Sequence, residues 1–205
     1  PSDRSMKVRM PAATGIAIRD ESRNWHYRTE PQPRLNGRQL LWPRGRMLGG
    51  CSSHNLMVIV RGHARDYDVW RQSGCEGWSY RDVLPYFKRT ESRAAGTDTY
   101  HGGDGPMQLN RSRSSNVLQE VFIDAGQQAG FPYTGDFNGY QQEGVGWFGL
   151  NIHRGNRWDT GRAYIWPISS RDNLTLGLKA YSTRLLFEST RAVGVEYERD
   201  GRLEK

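Results

Sequence analysis

Apolar residues recur at helical spacing in two segments of the chain. The first begins at Ser79, a candidate N-cap with Asp82 three residues later, and its apolar face runs to residue 91. The second ends at Gly130, which supplies a helix stop, and Pro132 cannot continue the helix. A short third helix is predicted over residues 160–166. The apolar positions that define the two longer helices are Val83, Leu84 and Phe87, and then Val117, Leu118, Val121, Phe122, Ala125 and Ala129.

Strand patterns are short and lie between these helices and after them. The run over residues 193–197 alternates apolar and polar side chains and leads into Asp200-Gly201, the strongest two-residue hairpin signal. Residues 56–60 are all apolar and predict either a buried strand or the start of a buried helix. Residues 1–43 lack periodicity and predict irregular structure. Further strands are predicted over residues 107–109, 145–152, 174–176 and 184–187.

Composition describes a folded chain with a basic balance. Of its 205 residues, 36% are hydrophobic and 25% are charged, which is typical of a globular protein. The net charge of +7 raises the question of a nucleic-acid partner. The basic residues are scattered singly and no nucleic-acid-binding motif is present, so we expect no such partner.

Cysteine and hydropathy patterns exclude other classes. The two cysteines, Cys51 and Cys75, are too few for a disulfide scaffold, and no Cys-x-x-Cys or His/Cys cluster with metal-ligand spacing occurs. We therefore predict reduced thiols and no metal site. No stretch approaches 18 continuous apolar residues, so no transmembrane segment is predicted, and no signal or transit peptide is visible.

Both ends of the sequence indicate a piece of a longer protein. The first residue is Pro1, and only four residues follow the predicted turn at Asp200-Gly201. We expect the second strand of that hairpin to be truncated and the terminal strands to lack neighbours.

Residues 45–55 carry the most informative pattern of the chain. Two adjacent glycines, Gly49 and Gly50, allow left-handed backbone conformations, and the small residues that follow leave amide groups unshielded. Such a segment can form a nest of N–H donors for an anion such as pyrophosphate, but it is also compatible with an ordinary tight turn. His54 is either a hydrogen-bonded structural group or a nucleophilic imidazole next to a cofactor.

This segment resembles the first signature of the glucose–methanol–choline oxidoreductases. That signature is a Gly-x-x-Leu-Gly-Gly-(Ser or Cys)-Ser-x-x-Asn run, followed by an apolar strand and Arg-Gly. Here it occupies residues 45–55, with the apolar run at 56–60 and then Arg61-Gly62. The resemblance covers nearly the whole chain, because similar stretches occur at residues 77–80, 84–87, 100–106, 138–144 and 191–197.

The resemblance implies a fold of the α/β (mixed α+β) class. The chain would contain part of an FAD-binding Rossmann-like domain and part of a substrate-binding domain, incomplete at both ends. Residues 1–106 would belong to the FAD domain, residues 107–168 to the substrate-binding domain, and residues 169–205 to the FAD domain again. The family's Gly-x-Gly-x-x-Gly motif is expected before Pro1 and its catalytic histidine after Lys205, so we name no catalytic residue within the chain.

The resemblance also implies FAD as the cofactor. Backbone groups of the glycine-rich segment are expected to approach the pyrophosphate and the flavin, and the residues after it to line the isoalloxazine edge. A choline-oxidising member of the family carries a histidine covalently bound to the flavin at the position of His54, which gives the hypothesis of a covalent His54–FAD bond. The implied cofactor-binding residues are Trp25, Gly45, Gly49, Gly50, Cys51, His54, Asn55, Leu56, Met57 and Ser182, where Ser182 replaces a usual Val that binds adenine through its backbone.

The implied reaction is oxidation of a primary alcohol to an aldehyde by hydride transfer to flavin N5. Choline is the favoured small-molecule substrate, with another aliphatic alcohol or a polyol as the alternative. A second alternative is that the chain is a non-catalytic fragment. The implied electron acceptor is a quinone of the respiratory chain or oxygen. The location would be mitochondrial in a eukaryote and cytoplasmic or membrane-associated in a bacterium. Aromatic faces can hold a quaternary ammonium, but we interpret Trp147, Trp158 and Trp166 as core residues.

Overall fold

The computed structural model describes residues 3–111 and 116–205 and divides the chain into two compact units, Pro1–Pro167 and Ile168–Lys205. The first unit contains helices and short strands, and the second contains a three-stranded sheet. The mixed α/β class is therefore confirmed. The α-helices of the described residues are α1 (Met6–Arg9), α2 (Thr14–Arg19), α3 (Ala64–Gln72), α4 (Tyr80–Thr90) and α5 (Val117–Gln128).

Both longer predicted helices are confirmed with their end signals. Ser79 caps α4 in a capping box: its hydroxyl accepts the N–H of Asp82 at 3.3 Å, and the Asp82 carboxylate accepts the N–H of Ser79 at 3.1 Å. Helix α5 stops at Gly130, whose φ of +92° is left-handed. The N–H of Phe131 donates to the carbonyl of Gly126 at 3.1 Å, which closes the helix end.

The prediction of irregular structure over residues 1–43 is wrong in its first part. Helices α1 and α2 form there, joined by a 3₁₀ turn at Pro11–Ala13. Ser5 caps α1 by accepting the N–H of Lys7, and Val8 and Ala17 are fully buried. Helices this short depend on burial against the rest of the unit rather than on their own propensity.

The strands of the first unit form three small sheets. The strands are β1 (Tyr27–Arg28), β2 (Leu41–Trp42), β3 (Glu91–Arg93), β4 (Met107–Arg111), β5 (Gly149–Leu150), β6 (Ile152–His153) and β7 (Asn156–Arg157). Strand β3 pairs parallel to β4, β4 pairs antiparallel to β5, and the pairs β1–β2 and β6–β7 are antiparallel ladders. The prediction over residues 107–109 is confirmed, whereas the strand predicted over 145–152 is replaced by β5 and the start of β6.

The apolar run at residues 56–60 is neither a strand nor a helix. Met57 is buried, but Leu56 is 71% exposed and Val58 is 41% exposed. Met57 also has a φ of +63°, which interrupts the extended backbone that a strand needs. The predicted helix at 160–166 is a π-type turn at Gly161–Ile165, and Pro167 lies in the 3₁₀ turn Trp166–Ile168 that follows.

The second unit is an antiparallel sheet in the order β10–β9–β8. Its strands are β8 (Tyr181–Glu188), β9 (Arg191–Arg199) and β10 (Arg202–Glu204), which confirms the strands predicted at 184–187 and 193–197. Asp200 and Gly201 have φ values of +49° and +75°, the left-handed pair that a tight hairpin turn requires. The strand predicted at 174–176 is wrong: the N–H of Leu174 donates to the carbonyl of Arg171, so the segment closes a turn.

The buried apolar core of the first unit is small. Val8, Ala17, Met57, Leu109 and Ile123 contribute to it, while much of the apolar face of α5 stays exposed. The three tryptophans interpreted as core residues are half-buried. Among the described residues, no helix combines the length and the apolar character that crossing a bilayer demands.

Candidate functional site

Residues 45–55, here called the glycine loop, fold back on themselves. Gly45 pairs with Asn24 in an isolated bridge. A Cβ atom on Gly45 would stand only 2.2 Å from the carbonyl oxygen of Gly50, so a side chain at this position is excluded. The start of the loop and its middle are therefore in direct backbone contact.

Gly49 and Gly50 both adopt left-handed conformations, with φ values of +85° and +53°. A Cβ on Gly49 would meet the Oγ of Ser53 at 2.4 Å and Asp159 at 3.1 Å, so Gly49 faces the interior. No atom lies within 4 Å of a Cβ on Gly50. One glycine is thus packed while the next presents bare backbone to open space.

A 3₁₀ turn, Gly50–Ser53, completes the loop. The N–H of Gly50 donates to Met47 and the N–H of Ser52 donates to Gly49, so these two amides serve the loop itself rather than an external anion. Ser53 is buried and donates its hydroxyl to the carbonyl of Leu48 at 2.8 Å. Cys51 is a free, exposed thiol.

His54 is buried, and its surroundings favour the neutral form of its imidazole. Desolvation by burial lowers the pKa of its imidazole, and the positive charges of Arg157 and Arg44 lower it further, against backbone hydrogen bonds that raise it. Its Nε2 atom is buried and has no hydrogen-bond partner. Other buried side-chain atoms of the described residues, on Arg9, His26 and Asn151 among others, also lack a partner, so this feature alone does not single out His54.

Asn55 shapes the backbone after the loop. Its Oδ1 atom accepts the N–H of Met57 at 3.0 Å, and Met57 takes a left-handed φ of +63°. The carbonyl of Met57 accepts the N–H of Asn151 at 2.9 Å. Left-handed conformations are strained for residues other than glycine and cluster at functional sites. Leu56, immediately before Met57, is the most exposed residue of this stretch at 71%.

Arg157 on β7 supports the loop from behind and was missed by the sequence reasoning. It is fully buried, and its guanidinium donates to the carbonyl and the Oδ1 of Asn55, both at 2.8 Å, and to the carbonyl of Ser52 at 3.2 Å. It also donates to Val8 and Thr14. An arginine in a polar stretch has no periodicity that would have singled it out.

A second contact braces the loop from the same side. The N–H of Thr160 donates to the Oγ of Ser52 at 3.0 Å, and Ser52 donates its hydroxyl to the carbonyl of Gly49 at 2.6 Å. Asp159 is fully buried beside them, and burial raises the pKa of its carboxyl group. Residues 157–160 therefore form the rear wall of the glycine loop.

Two predicted cofactor residues, Trp25 and Ser182, lie outside residues 45–57. The N–H of Trp25 donates to the carbonyl of Arg44 at 2.9 Å, and the Trp25 ring lies 5.4 Å from the guanidinium carbon of Arg46, so Trp25 is held next to the loop. Ser182 lies on β8 in the second unit, exposed and in register with Tyr197. The structure brings the other predicted residues together within residues 45–57.

A separate buried ionic network surrounds His101. Its ring nitrogens lie 2.7 Å from Glu91 and 2.6 Å from Asp136, and Arg61 forms an ion pair with Glu91 at 2.7 Å. Asp98, His101 and Asp136 also bring potential metal-ligand atoms within 4.8 Å of one another, although no metal site was predicted. Arg93 pairs with Asp98 and Asp136, so protein cations already balance these carboxylates.

The glycine loop, its left-handed glycines and the mixed α/β architecture define the class of protein. The chain belongs to the GMC oxidoreductase family, whose model matches residues 8–205.

Its curated relatives include choline dehydrogenases. It is 48% identical to the mitochondrial choline dehydrogenases of Mus musculus and Homo sapiens, over 97% and 96% of this chain. It is 46% identical to the oxygen-dependent choline dehydrogenase of Photobacterium profundum over 99% of this chain. The chain covers 33%, 33% and 36% of these relatives, so it spans about a third of their length.

Solved structures confirm the fold. Pyridoxine 4-oxidase from Mesorbium loti superposes with a TM-score of 0.90 at 31% identity, covering 98% of this chain and 40% of that one. An FAD-dependent oxidoreductase from Chaetomium thermophilum gives a TM-score of 0.86 at 25% identity, covering 98% and 37%. The resemblance seen in the sequence is thereby confirmed at the level of family and fold.

Proposed function

We propose that this chain supplies the flavin-facing part of an enzyme that oxidises a primary alcohol to an aldehyde with FAD as its cofactor, and that choline is the substrate. Family membership and the 48% identity to choline dehydrogenases support the proposal. FAD, when bound, supplies the hydride-accepting chemistry at its N5 atom, while the protein supplies binding and orientation.

The observation that carries the proposal is the bare backbone of Gly50. Its left-handed φ of +53° and the empty space where a Cβ would stand let a ligand approach the main chain directly.

The residues proposed to hold FAD divide by role. Backbone groups of the glycine loop face the pyrophosphate and flavin, and the side chains after it line the flavin edge. Trp25 lies beside the loop, and Ser182 offers backbone hydrogen bonds to the adenine. We propose no catalytic base among residues 1–205. The proposed set is Trp25, Gly45, Gly49, Gly50, Cys51, His54, Asn55, Leu56, Met57 and Ser182.

Gly50→Ala in the full-length protein tests the site, with Gly37→Ala as a matched control. Both glycines have a positive φ and open space where a Cβ would stand, so alanine costs each of them about 1 kcal/mol of backbone strain. Only the Cβ at position 50 would meet a bound cofactor. We expect Gly50→Ala to lose most of its bound FAD and Gly37→Ala to keep it, measured as flavin absorbance per chain. Equal flavin content in the two variants would contradict the proposed site.

Substrate choice is tested with the same full-length protein. We expect the highest kcat/KM with choline among choline, pyridoxine and simple aliphatic alcohols. Pyridoxine is included because a pyridoxine 4-oxidase shares this fold at 31% identity, which makes another alcohol the second candidate. A higher kcat/KM with pyridoxine would select that candidate, and no turnover with any alcohol would favour a non-catalytic role.

A covalent bond between His54 and the flavin is a separate proposal. The lowered pKa leaves the imidazole neutral, the form that acts as a nucleophile. The new bond would replace a C–H bond of a flavin methyl group: the proton would leave to solvent, and the two electrons would pass into the flavin and on to the electron acceptor. Because Nε2 has no exposed surface, bond formation requires the side chain to turn toward the cofactor. Acid denaturation of the full-length enzyme tests the bond. If the bond exists, the flavin stays with the precipitate of the unaltered enzyme, whereas the precipitate of His54→Ala releases it. Flavin that washes off the unaltered enzyme excludes the bond.

The remaining parts of the proposal concern organisation and electron transfer. We propose that residues 1–106 and 169–205 belong to the FAD domain and residues 107–168 to the substrate-binding domain. We propose a quinone of the respiratory chain or oxygen as the electron acceptor. Comparing dye reduction with oxygen consumption during alcohol turnover separates the two acceptors. We propose a mitochondrial location if the source is a eukaryote and a cytoplasmic or membrane-associated one if it is a bacterium.

A further inference from the structure

Arg157 is a cation beside the glycine loop that forms no ion pair. It is fully buried, and among the described residues no carboxylate lies within ion-pair distance of its guanidinium; the buried carboxyl of Asp159 acts on it only at longer range. Burial of a charge without a paired charge is costly, so the guanidinium must be compensated by hydrogen bonds. Burial lowers the pKa of Arg157, yet an arginine remains protonated in proteins.

Five hydrogen bonds from the guanidinium provide this compensation. Nε donates to the carbonyl of Val8 at 3.0 Å, and Nη2 donates to the hydroxyl of Thr14 at 2.6 Å. Nη1 donates to Ser52 and twice to Asn55. Every acceptor is a carbonyl or hydroxyl oxygen, so the planar fork fixes positions without forming an ion pair.

The bonds to Asn55 lead directly to a strained residue. Oδ1 of Asn55 accepts from Arg157 at 2.8 Å and from the N–H of Met57 at 3.0 Å, and Met57 has a φ of +63°. Without a fixed Asn55 side chain, a methionine would prefer to leave the left-handed region. The chain of contacts thus runs from Arg157 through Asn55 to the backbone of Met57.

We infer that Arg157 is a positioning residue for the flavin: it holds Asn55 so that Met57 keeps its left-handed conformation at the proposed flavin edge. This inference rests on the proposed function, since Asn55 and Met57 are taken as flavin-edge residues. Arg157 itself has no contact with the cofactor in this assignment.

Arg157→Lys in the full-length holoenzyme tests the inference. Lysine keeps the charge, but its single nitrogen cannot reach at once the acceptors on Val8, Thr14 and Asn55 that the three guanidinium nitrogens serve. The matched control is Arg154→Lys, in the exposed turn between β6 and β7, three residues away. The readouts are the visible circular dichroism of the bound flavin, which reports the geometry around the isoalloxazine, and the urea concentration at which the flavin signal is lost.

We expect Arg157→Lys to change the visible dichroism of the flavin. We also expect it to weaken flavin binding about tenfold, as expected for losing hydrogen bonds from a charged donor, so that the flavin signal is lost at a lower urea concentration. Arg154→Lys should match the unaltered enzyme in both. A double-mutant cycle with Asn55→Ala then locates the pathway: if Arg157 acts through Asn55, Arg157→Lys adds little in the Asn55→Ala background.

The outcomes separate the inference from the proposed function. An unaltered enzyme without bound flavin would overturn the proposed function itself. A flavin-loaded enzyme in which Arg157→Lys has the dichroism and retention of Arg154→Lys would overturn only the positioning role. Additive effects of Arg157→Lys and Asn55→Ala would also overturn it, because they would show that the two residues act independently.

Discussion

Nδ1 of His101 lies 2.7 Å from Oε1 of Glu91, and both side chains are buried. Burial alone would lower the pKa of His101, but the hydrogen bonds to Asp136 and Glu91 outweigh it and raise the pKa to about 9. The ring is therefore a doubly protonated cation at neutral pH and joins two acidic segments of the chain.

Stability should fall in mildly alkaline solution because of this ring. Its folded-state pKa lies above the ordinary value of 6.5, so its contribution is complete below that value and is lost as the pH rises through about 9. A pKa difference of this size corresponds to roughly 3 kcal/mol. Urea unfolding between about pH 6 and pH 10 measures the loss. His101→Asn should unfold more easily below about pH 9, where the unaltered protein keeps this contribution, and should lack this pH dependence; an equal alkaline loss in that variant would contradict the assignment.

Substitution of two helical glycines by alanine should change the free energy of unfolding in opposite directions. Gly15 in α2 has nothing within 4 Å of where a Cβ would stand, whereas a Cβ on Gly126 in α5 would lie 2.7 Å from Cγ1 of Val145. Gly15→Ala should raise the free energy of unfolding by about 1 kcal/mol through helix propensity. Gly126→Ala should lower it by roughly 1–3 kcal/mol through overpacking, measured by urea unfolding.

Val145→Ala provides the control for the second glycine. It removes the obstructing methyl groups, so Gly126→Ala should cost less in that background than in the unaltered chain. The same cost in both backgrounds would show that Val145 is not the obstacle.

The turn between β8 and β9 should be stabilised by glycine at one position. Ser189 has a φ of +55°, a left-handed conformation that serine adopts at a cost of roughly 1 kcal/mol. Ser189→Gly should therefore raise the thermal unfolding temperature of the protein. Thr190→Gly, at the adjacent turn position without a left-handed backbone, should lower it through greater freedom of the unfolded chain. A decrease with both variants would refute the strain at Ser189.

Replacing Asp159 by an uncharged residue should stabilise the folded protein at neutral pH. Burial raises the pKa of the Asp159 carboxyl group and outweighs the attraction of Arg162, whose Nε lies 3.6 Å from Oδ2; that oxygen accepts no hydrogen bond. Because the folded-state pKa lies above the ordinary value of 3.8, ionisation opposes folding above that pH. Asp159→Asn keeps an oxygen for the N–H of Arg162 and should raise the free energy of unfolding at neutral pH by about 1 kcal/mol. The exposed Asp172→Asn should change it little, and a lower stability of Asp159→Asn would refute the argument.

Local signals predicted those elements whose cause is local. The capping pair Ser79 and Asp82, the stop at Gly130 and the turn at Asp200-Gly201 each satisfy backbone groups within a few residues, so the sequence alone places them. Helices α1 and α2 were missed because their stability comes from burial against residues far along the chain. The run at 56–60 was misjudged because its apolar character says nothing about the left-handed turn at Met57.

The candidate site was likewise predicted only where its signal is local. The glycine loop was predicted from its residue pattern and family resemblance, and the structure confirms a tight loop with left-handed glycines. Its rear wall was not predicted: Arg157 contacts residues more than one hundred positions away, and no local spacing reveals such a contact. The assignment of individual residues to FAD stays a prediction.

The reach of Arg157 has a consequence for the order of folding. Its guanidinium joins Val8 and Thr14, 149 and 143 residues earlier in the chain, to Ser52 and Asn55. Closing such long loops is entropically slow, so these bonds form after the local helices and hairpins. During synthesis on the ribosome, the glycine loop would emerge about one hundred residues before the arginine that fixes it. Under the proposed function, the glycine loop would therefore reach its cofactor-binding form only after Arg157 has joined it.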